Sequence, residues 1–171
     1  MTYLERMLKA GIPVNWLTVM VGWDGPGGYD RLLSIPEVAS YAAGLLGDDS
    51  GHPAEVLKLA AAYDGDIDLV DSCVRKLAAG EKNEPSLELR KWRLVLLEDL
   101  LETLGDDPLY GLLGLTEFWA GFGYPADAPQ IIQGKGRDLS ASDYTPKNYR
   151  LTLEAHRRWA ESERTDLTHS H

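Results

Sequence analysis

The side chains best suited to chemistry are few and poorly spaced for it. Cys73 is the one cysteine. It falls on the apolar side of a helical pattern, with no nearby base to hold a thiolate, and reads as a buried structural residue. A lone cysteine also excludes an intrachain disulfide and a multi-cysteine zinc site. The histidines are His52, His156, His169 and His171. None has the paired-ligand spacing of an HExxH-type centre, so no resident metal is expected. Asp64, Asp66, Asp68 and Asp71 alternate in part like a calcium loop. Gly65 is misplaced for one, however, and Ile67–Leu69 begins a helix. Acids gathered at a helix N-terminus, where the macrodipole favours them, explain the cluster better. Residues 22–29, GWDGPGGY, are glycine-rich, but no strand precedes them and no Lys-Ser/Thr follows, so they read as a turn rather than a phosphate cradle. Neither an enzyme nor a cofactor is expected. The weakest reading is a small enzyme that uses residues 126–144 as a lid over Asp127, Asp138, Asp143 or His156.

Charge is more informative. The net charge is −10 and the sequence pI about 4.8. Such a surface repels phosphate backbones and anionic lipid, so neither nucleic acid nor membrane is expected as a direct partner. From residue 94 to residue 134 there are seven acids and no Lys or Arg, whereas bases outnumber acids from residue 135 to residue 164. Glu98, Asp99, Glu102, Asp106, Asp107 and Glu117 form either a solvated helix face or a surface that docks a basic partner. Trp119 and Phe122 read as core. Tyr124, beyond the helix, reads as an aromatic anchor, since Tyr supplies contact area at low entropy cost. The candidate partner-binding residues are therefore Glu98, Glu102, Asp106, Asp107, Tyr124 and Asp127.

These residues need elements to position them, and the central stretch, residues 85–125, supplies two. Leu89, Trp92, Leu96, Leu97, Leu100, Leu101 and Leu104 recur at helical spacing, with Glu88, Lys91, Glu98 and Glu102 on the other side. Pro85 suits the first turn and Gly105 the end. Asp107-Pro108 then caps a second helix, whose Leu109, Leu112, Leu113, Leu115, Phe118, Trp119 and Phe122 predict burial nearly all round. Gly111 and Gly114 predict close approach by a neighbour. The short link makes the two helices antiparallel.

The remaining chain reads the same way. Residues 3–10 form a short helix with Leu4, Met7 and Leu8 inward. Pro13 opens a second, packing Val14, Leu17 and Val21. Ser34 to Glu37 is a capping box opening a third, with Val38, Tyr41, Ala42 and Leu45 inward. Pro53 opens a fourth, burying Val56, Leu59, Ala60 and Tyr63, and Asp66 caps a fifth, burying Ile67, Val70, Cys73, Val74 and Leu77. Thr145-Pro146 caps the last. Residues 126–144 are a long loop, in which Ile131-Ile132 is too short for a strand assignment. The expected fold is all-α: one domain of seven or eight helices over residues 1–164, with a disordered tail at 165–171. No apolar run approaches the ~18–20 residues needed to span a bilayer. A charged N-terminus argues against a signal peptide, making the cytoplasm the expected compartment.

Several of these residues together resemble a known family: Pro13, Trp16 and Gly22-Trp23; Glu37-Val38 with Tyr41-Ala42; Arg90-Lys91-Trp92; and Leu115 to Trp119 leading to Phe122-Gly123-Tyr124-Pro125 and Asp127. Over about residues 10–160 the chain is similar to the bacterial domain of unknown function 2247. Its members look like immunity proteins of polymorphic-toxin systems, and the resemblance carries no catalytic residues. It implies a protein that binds and neutralises a cognate toxin with a basic surface, such as a nuclease. The alternative is a helical scaffold or regulatory protein-binding module without a toxin partner, or a homodimer formed through the apolar centre.

Overall fold

Most helix signals are realised, but Asp66, read as a cap, makes no side-chain cap; its Oδ2 accepts the Tyr63 N–H at 3.1 Å instead. The computed structural model describes residues 1–47, 52–81, 85–129 and 143–169. Among the described residues there are eight α-helices and no strand: α1 (Tyr3–Lys9), α2 (Trp16–Asp24), α3 (Ile35–Leu45), α4 (Ala54–Ala60), α5 (Ile67–Ala78), α6 (Pro85–Thr103), α7 (Pro108–Gly121) and α8 (Pro146–His169). The fold is all-α, as expected. None of these helices is long and apolar enough to cross a membrane. Ile131-Ile132, Asp138, His171 and most of the 126–144 segment lie outside the described residues. Contacts cluster into two compact units, Met1–Trp92 and Arg93–His171.

In the first unit, three helices begin with reciprocal caps: Thr2 with Glu5, Asn15 with Thr18, and Ser34 with Glu37. Each such cap contributes roughly 1 kcal/mol. α2 starts at Trp16 rather than at Pro13, because the Asn15 side chain accepts the Thr18 N–H at 2.8 Å. The Glu81 carboxylate accepts the next orphan donors, the N–H groups of Trp16 at 2.8 Å and Leu17 at 3.2 Å. Gly22 and Trp23 belong to α2, so the glycine-rich loop begins only at Gly25, where φ is 98°. α2 packs on α5, and α3 and α5 pack on α4. Met7, Val19, Trp23, Val38, Leu59, Val70 and Val74 fill this core.

Four apolar residues of this unit expected inward are exposed: Leu8, Leu45 (the last residue of α3), Tyr63 and Ile67. α1 has only seven residues, and Leu4 and Met7 at i, i+3 take its one inward face. α4 ends at Ala60, leaving Tyr63 in the turn beyond it. Ile67 is the first residue of α5, ahead of the buried stripe that starts at Val70.

The polar side expected for α6 is also partly wrong. Glu88 and Lys91 are buried, at 0% and 2% exposure. Lys91 Nζ lies 2.8 Å from Glu88 Oε2, the Thr18 hydroxyl donates to the same carboxylate at 2.5 Å, and Asn15 Nδ2 donates to its other oxygen at 3.2 Å. Trp92 closes the cluster, its indole N–H donating to the Thr18 carbonyl at 2.8 Å. Its ring lies 2.0 Å from where a Cβ on Gly22 would stand, so only glycine admits it.

In the second unit, Asp107 caps α7 and Pro108 opens it, as the sequence predicts. The expected close approach at Gly111 is real: the Tyr149 ring lies 2.2 Å from a would-be Cβ there, and its hydroxyl donates to the Gly105 carbonyl at 2.8 Å. Burial of α7 is not all round. Leu112, Leu115, Phe118 and Trp119 are buried, but Leu109 and Tyr110 are exposed. The Trp119 indole donates to His156 Nε2 at 2.8 Å, and its ring meets Trp159 edge-on at 5.2 Å. Residues 165–169, read from sequence as tail, continue α8 to His169. Leu167, 1% exposed, anchors this last turn in the core, and the Thr165 hydroxyl bonds back to the Glu161 carbonyl.

Candidate protein-binding surface

All six candidate partner-binding residues lie in the second unit, but they do not form one patch. The turn between α6 and α7 sets the first group. The Thr103 hydroxyl bonds back to the Asp99 and Leu100 carbonyls, both at 3.0 Å, as α6 ends. Asp107 Oδ1 then accepts the N–H groups of Leu109 at 2.9 Å and Tyr110 at 3.1 Å. This cap fixes the corner. Asp106 and Asp107 are exposed, and beside them Leu109 and Tyr110 are exposed at 42% and 73%. Tyr110 went unrecognised in the sequence. The signal was there, since it precedes the Leu112, Leu115, Trp119 stripe.

Tyr124 and Asp127 stand at the other end of α7. Fourteen residues of helix separate the two groups, about 21 Å at 1.5 Å per residue. Gly123 and Tyr124 both take positive φ, 68° and 50°, and the Tyr124 N–H bonds back to the Trp119 carbonyl at 2.9 Å. A left-handed Tyr is uncommon and costs roughly 1–2 kcal/mol, so the surrounding contacts hold it there. Tyr124 is 51% exposed. Asp127 is not a free docking charge. It accepts from both terminal nitrogens of the Arg93 guanidinium, Nη1 at 3.2 Å and Nη2 at 2.7 Å. Arg93 is itself buried, 5.0 Å above the Trp159 ring and 3.5 Å from Glu163. Among the described residues its Nε has no partner.

Glu98 is also engaged, forming an ion pair with Arg164 of α8. Glu102, exposed, shares with Glu98 a cleft of about 280 Å³ whose other lining includes Arg157 and Arg164. Of the acids read on α6, Glu98 is met by a base from α8, while Glu102 stays exposed and Asp106 and Asp107 stand exposed at the α6–α7 corner.

The chemistry-bearing residues fall elsewhere. Cys73 is buried, and burial pushes its thiol up, away from the thiolate. His156 is buried too. Trp119 donates to its Nε2, so the proton sits on Nδ1, which donates to the Thr152 carbonyl at 2.7 Å. Burial lowers its pKa below the ordinary histidine value and keeps the ring neutral. Asp71 lies beside Arg75, which holds its carboxyl down and also bonds Asp24. Among the described residues no three His, Cys, Asp or Glu side chains converge as a metal site.

No curated protein and no solved structure matches the chain. A family model does, over residues 4–164: the chain belongs to the bacterial family described as "Uncharacterized protein conserved in bacteria (DUF2247)".

Proposed function

We propose that this protein works by binding another protein, as an immunity-type molecule that blocks a cognate bacterial toxin with a basic surface. The observation that carries the reading is the α6–α7 corner, where exposed Leu109 and Tyr110 stand beside exposed Asp106 and Asp107 on a turn locked by its own cap. Tyr is enriched among the residues that carry binding energy at protein interfaces. The net charge of −10 favours a basic partner and steers its approach. A toxin that attacks nucleic acid carries such a basic cleft. Tyr124, exposed at the far end of α7, extends the contact only for a partner wide enough to reach both ends. The test is co-expression with the toxin-like product of the adjacent reading frame. Wild-type protein restores growth, and the Asp106→Lys/Tyr110→Ala variant fails to while still accumulating as folded protein. No rescue by the wild type overturns the reading.

A further inference from the structure

The first unit carries an apolar groove of about 350 Å³, lined by Leu4 and Leu8 of α1, Val14, and Tyr41 and Leu45 of α3. Leu8 and Leu45 are 52% and 36% exposed. The Tyr41 hydroxyl is spent inside the fold, donating to the Val14 carbonyl at 3.0 Å. Charge at the rim comes from Glu5 and Glu37, and no Lys, Arg or His is among the described lining residues. Each carboxylate is held by its own helix start: Glu5 accepts the Thr2 N–H, and Glu37 the Ser34 N–H, both at 2.8 Å.

Gly44 adds an independent observation. It is the next-to-last residue of α3 and lines the groove. Glycine has a lower helix propensity than alanine. At Gly22 an aromatic ring explains the glycine, whereas a Cβ on Gly44 would meet nothing within 4 Å. Among the described residues, nothing occupies that space.

We propose that this groove docks a short segment of a partner protein presenting one Leu- or Phe-sized side chain between lysines or arginines. The apolar lining takes the anchor, Gly44 lets the partner backbone come close, and Glu5 and Glu37 receive the flanking bases. A second copy docked by the same face would set these carboxylates against their own counterparts, which disfavours self-association there. The inference does not depend on the α6–α7 corner.

The test is fluorescence anisotropy of the full chain with a labelled synthetic peptide bearing a single central Phe flanked by lysines. Saturable binding is expected, weakened at least tenfold when the peptide lysines become glutamates. Gly44→Leu, which fills the groove, should weaken binding at least tenfold with no loss in melting temperature. Glu5→Gln with Glu37→Gln keeps both capping boxes, since Gln also serves at that position, and should weaken binding and flatten its salt dependence. Asp106→Lys should leave binding unchanged. Absence of saturable binding overturns the proposal, as does equal binding by the Gly44→Leu protein or equal binding of the glutamate peptide.

Discussion

Lys91 and Arg93 lie two residues apart on α6 and meet opposite circumstances. Lys91 faces Glu88 and Thr18, and all three are buried. Arg93 is buried as well, but it forks onto Asp127, whose side chain is 51% exposed. The first cluster is sealed and acts on the fold alone. The second runs from the core of its unit to a surface loop, and so fixes where Tyr124 and Asp127 stand. Formal charge in the sequence is therefore a poor map of charge available to a partner. Glu98 and Asp127 are spent on Arg164 and Arg93, whereas Asp106 keeps an exposed place beside Tyr110.

The contrast breaks most visibly in stability. Lys91→Met strands Glu88 in the interior and should cost about 3–5 kcal/mol in urea denaturation. Asp127→Asn leaves Arg93 with Glu163 and a half-exposed partner, and should cost about 1 kcal/mol or less. Equal losses would show that the two clusters do not differ as described.

A smaller effect compares the two aromatic insertions. Gly22→Ala and Gly111→Ala should each cost roughly 1–3 kcal/mol by overpacking. Gly22 should cost more, because Trp92 is 0% exposed and tied to the Thr18 carbonyl. A neutral Gly22→Ala melt would contradict the packing.

The smallest effect is pH-dependent and belongs to the second unit. His156 is neutral when folded, whereas in the unfolded chain it protonates near pH ~6.5. Its contribution is thus fully present above that pH and is lost as the pH falls towards the lowered folded value, at no more than ~1.4 kcal/mol per unit. Urea midpoints at pH 7.5 and 5.5 should show a decline that His156→Gln reduces. An identical decline in the variant would assign it to other groups.

Local signals were legible wherever the chemistry is local. The Ser34–Glu37 box, Pro85 opening α6 and Asp107-Pro108 opening α7 were readable because cap and donor lie within a few residues. The Gly111 contact was anticipated in kind, though not its Tyr149 partner. The buried ions were not legible. Glu88 and Lys91 sit at positions that look solvated, and Thr18 is seventy residues from Glu88. Asp127 likewise looked available until Arg93, thirty-four residues earlier, closed on it. Of the candidate residues, Glu102, Asp106, Asp107 and Tyr124 are exposed, while Glu98 and Asp127 are ion-paired. Tyr110 was hidden inside a run read as buried all round.

On the function proposed, the α6–α7 corner is where this protein would meet a basic protein partner. Isothermal titration of the full chain with that toxin-like protein tests it most directly. The account predicts binding that weakens as salt rises, and a loss of at least thirtyfold in Asp106→Lys/Tyr110→Ala with an unchanged melting temperature. Wild-type affinity in that variant, at every salt concentration, would contradict it.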